Sequence, residues 1–512
     1  MKSRIALLCC WLLVTVFGPA WAGSHPPIGG GGPYQTQPGT RELPPRYAPP
    51  AGPAARARLA YWNEVALRAI AVDHTPAVVG DVVQEAEQLG PTRTSRVMAI
   101  VQIAVYDALN AIAKRYPGYS GTIEALPDSS QDAAIAQATH DTLVALYPRQ
   151  AARFDAWLRE DLARLPEGRA KRNGVDVGRR AAAAILALRA SDGNYDSEPV
   201  VGEDYQVSNA PGQWRPDPVS RSPIALGAYW RNVRPFVLRA ADQFQPPPPP
   251  ALESEAYARA FKEVKELGGD GIRTPTRRTR DQTVAGIYWA YDSTAWIGTP
   301  ARLFNQITMQ LALRRSKDAL ELARTMALVN VAIADATMAV WQGKYDYDFW
   351  RPVTAIREAS PGTGPTGLGD GNPRTAADPH WTPLGAPASN LVGPNFTPPF
   401  PSYVSGHAGF CGATFHMLRR LYGDRIAFSF VSDEFNGITR DNKGRVRPRL
   451  PRSYATLAQA EEEAGQSRIY LGVHWQFDKT AGRELSHQVA DYVFARGLLR
   501  PDASAPAPAP AP

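Results

Sequence analysis

Residues 467–478 read Ser467-Arg468-Ile469-Tyr470-Leu471-Gly472-Val473-His474-Trp475-Gln476-Phe477-Asp478. His474 and Asp478 are four apart, so the carboxylate can accept from one ring nitrogen and leave the other free to bind or attack. Arg468 lies a turn and a half earlier, and its direction depends on a break near Gly472. Two upstream segments belong with this stretch. They are Lys344-x6-Arg351-Pro352 and Ser405-Gly406-His407. Together the three supply three cations, two histidines, and a serine and glycine at a helix start. Among the motif residues themselves Asp478 is the sole carboxylate, Asp346 and Asp348 falling in the x6 spacer. Such a set suits a tetrahedral oxyanion. Zinc fits poorly, because cations outnumber carboxylates and thiols are missing.

Each segment has a bland reading. A lone K-x6-R pair is usually a solvated helix face. Two helical turns would put Lys344 and Arg351 on one side, but Pro352 argues for a bend just before or at Arg351. Ser405 could be a plain N-cap of the helix expected over 405–422, which Gly423 stops. Yet that helix start also offers free N–H groups and positive potential to an anion, and Gly406 permits close approach. His140, His416 and His487 read as structural histidines. The order and spacing of the three segments together are what single them out.

The remaining chain sets the frame. Its 512 residues can bury a large core. Hydrophobic residues make up 44% and mean hydropathy is -0.30, as in soluble globular proteins. Lys2 and Arg4 precede an apolar run ending in Ala20-Trp21-Ala22, which reads as a cleaved export signal over 1–22. A secreted or periplasmic location follows, with no membrane span once the signal is removed. Losing it takes the net charge from +7 to +5. The charges are scattered, which argues against a nucleic-acid partner. Cys9 and Cys10 leave with the signal, so only Cys411 remains and stability must come from packing.

Residues 23–55 are rich in Gly and Pro and are expected to be poorly ordered. Helical periodicity then runs from 56 to 245, through segments at 95–113, 130–146, 150–164 and 170–191. The Pro246–Pro250 run reads as a stiff spacer between this helical bundle and a second one over 251–500. In that second half, helices are expected at 252–267, 279–291, 300–314, 317–342, 405–422, 456–473 and 474–497. A long Gly/Pro-rich loop over 359–404 reads as an active-site wall. A short hairpin is expected at 427–450, and an Ala-Pro tail over 501–512 ends the chain. The fold class is therefore all-α: two packed four-helix-type bundles with long loops and at most a short β-hairpin.

The ordered triple resembles the vanadium-dependent haloperoxidase and type 2 phosphatidic-acid phosphatase superfamily, recognised by K-x6-R-P, P-S-G-H and S-R-x5-H-x3-D. Val404 stands where that pattern has proline. Tyr291-Asp292 through Pro300, Asn305-Gln306, and Pro399-Phe400-Pro401-Ser402-Tyr403 are similar to the secreted vanadium chloroperoxidase-like branch. The resemblance implies vanadate held by Lys344, Arg351, Ser405, Gly406, His407 and Arg468, with His474 as metal ligand. It implies His407 as the acid–base residue, Lys344 polarising peroxide, Asp292 paired with Arg468, and Asp478 holding the His474 ring. Phe400, with Trp341 and Trp350, is expected at the halide pocket. The implied activity is oxidation of halide by hydrogen peroxide to hypohalous acid. The alternative is phosphomonoester hydrolysis through a phosphohistidine at His474, phosphate being either substrate group or competing ligand.

Overall fold

The computed structural model describes residues 34–75, 86–195 and 197–501. The stretch read as an export signal at 1–22, residues 23–33 and the Ala-Pro tail from Asp502 lie outside the described residues. In chain order the elements are β1 (Gln35–Thr36), α1 (Ala55–Asp73), α2 (Gly90–Ala113), α3 (Gln131–Leu146), α4 (Ala151–Ala163) and α5 (Arg169–Arg189). Then come α6 (Glu255–Leu267), α7 (Arg280–Tyr288), α8 (Pro300–Arg315), α9 (Ala319–Tyr347), α10 (Pro352–Glu358) and β2 (Leu391–Val392). The last are α11 (Gly406–Tyr422), β3 (Phe428–Asn436), β4 (Arg449–Tyr454), α12 (Leu457–Tyr470) and α13 (Gln476–Arg496). The fold is all-α, and among the described residues the strands form only two antiparallel pairs, β1–β2 and β3–β4. The hairpin turns at Asp441–Gly444 and runs on to Tyr454.

Helices α2, α3 and α5 pack on one another with α1 alongside; α9, α11, α12 and α13 form a second group. The two groups meet across α2 and α9, and one continuous apolar core runs through both. These two helices are apolar on all sides because both are surrounded. They are long and apolar enough to cross a bilayer, yet nearly every residue is buried inside the fold. All sulfur atoms among the described residues, those of Met98, Met309, Met326, Met338, Met417 and Cys411, sit at 0% exposure in this core.

Two expectations for the connecting segments need correction. Residues 34–54 do not hang free. Tyr34, Thr36, Gln37, Thr40 and Leu43 are buried, and Arg46 forms an ion pair with Asp433 at 2.7 Å. The Pro run is no open spacer either. Pro246 is buried beside Gly343, its carbonyl accepts from Tyr347 Oη at 3.0 Å, and the Pro247 carbonyl accepts from Tyr403 Oη. A run with no internal hydrogen bonds has its carbonyls free for such contacts. Just upstream, Asp335 of α9 accepts from the backbone N–H groups of Phe236, Val237 and Leu238. One carboxylate thus fixes a stretch that has no helix of its own.

Candidate active site

Four pieces of chain converge. Helix α9 ends at Tyr347, Asp348 takes a left-handed conformation, and Arg351 becomes the N-cap of α10 with Pro352 as its first residue. Lys344 and Arg351 therefore reach the site from either side of a bend. Ser405 caps α11, accepting from the Ala408 N–H at 3.3 Å, so Gly406 and His407 form its first turn. Helix α12 carries Arg468. The chain then reverses at Gly472, whose φ is +74° and where a Cβ would fall 2.6 Å from the Gly268 carbonyl oxygen, so no side chain fits. That turn places His474 just ahead of α13.

Asp478 performs two tasks from the first turn of α13. Its Oδ2 accepts from the Trp475 N–H at 3.1 Å, which caps the helix, and from His474 Nδ1 at 2.7 Å. Ser402 Oγ donates to the same oxygen. With Nδ1 donating, His474 Nε2 carries the lone pair, and it accepts from Arg351 Nη1 at 3.0 Å. Arg351 also donates from Nε to the Phe400 carbonyl at 2.9 Å and from Nη1 to the Val473 carbonyl at 2.7 Å. Lys344 Nζ donates to the carbonyls of Pro401 and Ser402 at 2.8 and 3.1 Å. Arg468 donates from both terminal nitrogens to Asp292, each at 3.0 Å. His407 Nε2 donates to the Ala290 carbonyl at 2.5 Å, leaving Nδ1 as its proton-accepting atom.

Three buried cations thus share the site with two carboxylates, and neither Lys344 nor Arg351 has a carboxylate partner among the described residues. The electrostatics register the imbalance. Burial, then the Arg351 charge, holds the Lys344 ammonium well below its ordinary range. Burial lowers Arg351 to about 9. Burial and then Arg468 bring His407 down to about 4, so the ring is neutral near pH 7. Burial, then Arg351 and Lys344, hold His474 well below its usual value. Burial lifts Asp478 to about 6 against the pull of its donors. An anion would relieve the cations.

The residues fit such a group. Arg351 Nη2 and Arg468 Nε are buried with no hydrogen-bond partner among the described residues. A Cβ on Gly406 would stand 3.2 Å from the Trp341 ring and 3.9 Å from Lys344 Cε, so glycine keeps a cradle open there. One pocket is lined by Asp292, Gly406, His407, Arg468 and His474, with Trp341, Phe400, Phe396 and Phe410 as apolar wall. The Phe400 ring packs 5.1 Å from Trp341, with Lys344 Nζ 4.8 Å and the Arg351 guanidinium 4.9 Å from its centre. Trp350 is not in that lining; it is buried away from the pocket, its carbonyl accepting from Trp475 Nε1. Ser402 and the carbonyls of Ala290, Phe400 and Val473 were invisible in the sequence. Backbone acceptors leave no residue-type signal, and Ser402 belongs to none of the three motif segments.

Most residues of this site fall within one family match. The family model for the VCPO second helical-bundle domain matches residues 324–498. The vanadium chloroperoxidase of Curvularia inaequalis is 36% identical over 276 residues, 46% of this chain and 43% of its own length. Over these residues the chain is similar to the vanadium haloperoxidases. It spans less than half the length of that curated relative. The crystal structure of the first bacterial vanadium-dependent iodoperoxidase overlays with a TM-score of 0.66 at 23% identity, covering 89% of this chain and 98% of the other. A holo bacterial vanadium-dependent chloroperoxidase overlays at 0.59 with 18% identity, covering 79% and 92%. The likeness in fold to these haloperoxidases therefore extends into the helices before residue 324.

His416 of α11 and His487 of α13, outside the pocket, stack at 4.4 Å and bond to Asp491 of α13 and the buried Glu461 of α12 respectively. His140 is held between Asp141 and Asp155.

Proposed function

We propose that this chain binds vanadate and oxidises halide with hydrogen peroxide to hypohalous acid. The observation that carries the reading is a pocket with more buried cations than carboxylates around a histidine whose Nδ1 donates to Asp478 and whose Nε2 faces Arg351. His474 would supply the ligand nitrogen. Arg351 Nη2, Arg468 Nε, the Lys344 charge, the Ser405 hydroxyl and the first N–H groups of α11 would hold the oxygens. Vanadate bound there supplies a Lewis acid that activates hydrogen peroxide toward halide. His407, neutral near pH 7, accepts a proton at Nδ1 and returns it. Asp478 keeps the His474 tautomer, and Asp292 keeps Arg468 aimed inward. Trp341 and Phe400 form the apolar side on which a poorly hydrated halide would rest. The export signal read at 1–22 would place this chemistry outside the cytoplasm.

The same tautomer would make His474 Nε2 a nucleophile toward a phosphomonoester. Purified protein, assayed for halogenation and for phosphomonoester hydrolysis with and without added vanadate and with vanadium quantified, separates the readings. Peroxide-dependent halogenation that tracks vanadium content is the expected result. Hydrolysis without halogenation would assign the pocket to phosphate.

A further inference from the structure

The pocket wall over 396–400 is held from outside by the start of the described chain. Phe396 lines the pocket and exchanges two backbone hydrogen bonds with Ala386, at 2.8 and 3.1 Å, closing a loop whose tip is 390–394. That tip is gripped by residues 34–37, more than 350 positions away. Gln35 and Thr36 pair with Val392 and Leu391. The Gln37 N–H donates to the Asn390 carbonyl at 2.9 Å, and its Nε2 donates to the carbonyls of Leu391 and Asp441. Tyr34 Oη donates to the Pro394 carbonyl at 2.6 Å.

The Tyr34 ring is 4% exposed and meets the Phe396 ring edge-on at 6.3 Å and 75°. Gly393 makes room for it: its φ is +147°, and a Cβ there would fall 2.6 Å from Tyr34 Cε1. Tyr34, Phe396, Ala295, Ala386, Ala388 and Leu391 form a small apolar cluster separate from the main core. Ser293, two residues from Ala295, lines the pocket as well. The cluster thus backs two stretches of the pocket lining, and Tyr34 joins it from the start of the described chain, with Trp296 packed alongside.

We propose that Tyr34 is a positioning residue for the pocket mouth: through Phe396 it sets how bulky a ligand can reach the oxyanion site. It touches neither the cations nor the histidines, so it acts on size selection and leaves anion recognition alone. This rests on the reading of the pocket as an oxyanion site.

The test uses two anions that share a headgroup and differ in bulk, orthophosphate and phenylphosphonate, titrated calorimetrically into vanadate-free protein. Tyr34→Ala should leave orthophosphate affinity within about twofold and tighten phenylphosphonate about two- to tenfold, the range an aromatic pair corresponds to. Tyr34→Phe keeps the ring contact and should fall between wild type and Tyr34→Ala. Phe396→Ala should shift the ratio at least as far. Should Tyr34→Ala not fold, Tyr34→Leu takes its place with the same expected ratio. Equal shifts for both anions would reduce Tyr34 to a general structural role, and an unchanged ratio would remove its hold on the mouth; either overturns the proposal. Orthophosphate that fails to bind wild type overturns the oxyanion reading and this inference with it, a result distinct from an unchanged ratio.

Discussion

Arg58 and Arg351 are both fully buried arginines, and they keep opposite company. Arg58, in α1, donates from Nε and Nη2 to Asp161 at 2.9 and 3.2 Å and from Nη1 to Asp132. Trp62 Nε1 adds a further bond to Asp161. Arg351 meets two carbonyls and an imidazole, and one terminal nitrogen has no partner among the described residues. A buried charge whose donors are all met, as at Arg58, is part of the scaffold. A buried charge without a counter-ion is a cost that folding alone would not retain, unless something outside the chain completes it. The same residue type thus marks structure in the first half and a ligand site in the second.

The sharpest break between the two kinds of site comes from catalysis. His407→Ala should keep bound vanadate and lose about 10²–10⁴ in halogenation rate, while His474→Ala should lose the vanadium on dialysis. Vanadium content set beside rate decides it, and the opposite pattern would exchange the two roles. Next in size is the scaffold pair. Arg58→Met, which strands Asp161, should cost about 3–5 kcal/mol in chemical denaturation whether or not phosphate is present. Arg351→Met should leave anion-free stability unchanged or higher.

A third measurement sets the two arginines against one ligand. Phosphate at about a hundred times its Kd should stabilise wild type by about 2.7 kcal/mol. The Arg58→Met protein should keep that increment, and the Arg351→Met protein should lose it. Asp478→Ala should weaken vanadate about 10–100-fold, since it frees the His474 tautomer and uncaps α13 together. The smallest effect is in pH. His407 has a folded pKa of about 4 against an ordinary 6.5, so between those values the unfolded chain binds the proton more readily. Its contribution to anion-free stability is therefore complete above about pH 6.5 and falls as pH drops toward 4. The His407→Gln protein should lack that component when denaturation is measured across the window.

What could be read from sequence follows the same division. The helices were legible because their apolar spacing is local, as in α3, α5 and α8. Lys344, Arg351, Ser405–His407, Arg468 and His474 were legible because their residue types and spacings carry the chemistry. The Pro246–Pro250 contacts and the 34–37 strap were not, because each depends on partners roughly 100 to 360 residues away, with no periodic signature. Trp350 was misjudged through nearness in sequence to Arg351. Trp350 is buried outside the pocket lining, with its carbonyl accepting from Trp475 Nε1. Ser402 lay one residue from Pro401 in a quoted stretch, yet only the fold shows its hydroxyl on Asp478.

The placement of sulfur bears on how long such a catalyst could last. Thiols and thioethers are the side chains an oxidant consumes first, and susceptibility follows exposure and thiolate character. Here every described methionine and Cys411 is at 0% exposure, and burial holds the Cys411 thiol up, away from thiolate. The pocket lining sets Pro91, Pro300, Pro398, Pro399, Phe396 and Phe410 beside Trp341, His407 and His474, and carries no sulfur or phenol. On the proposed haloperoxidase reading, a hypohalous acid leaving by that route would pass mostly proline and aromatic rings, so the packing that steadies the core would also keep sulfur out of its path.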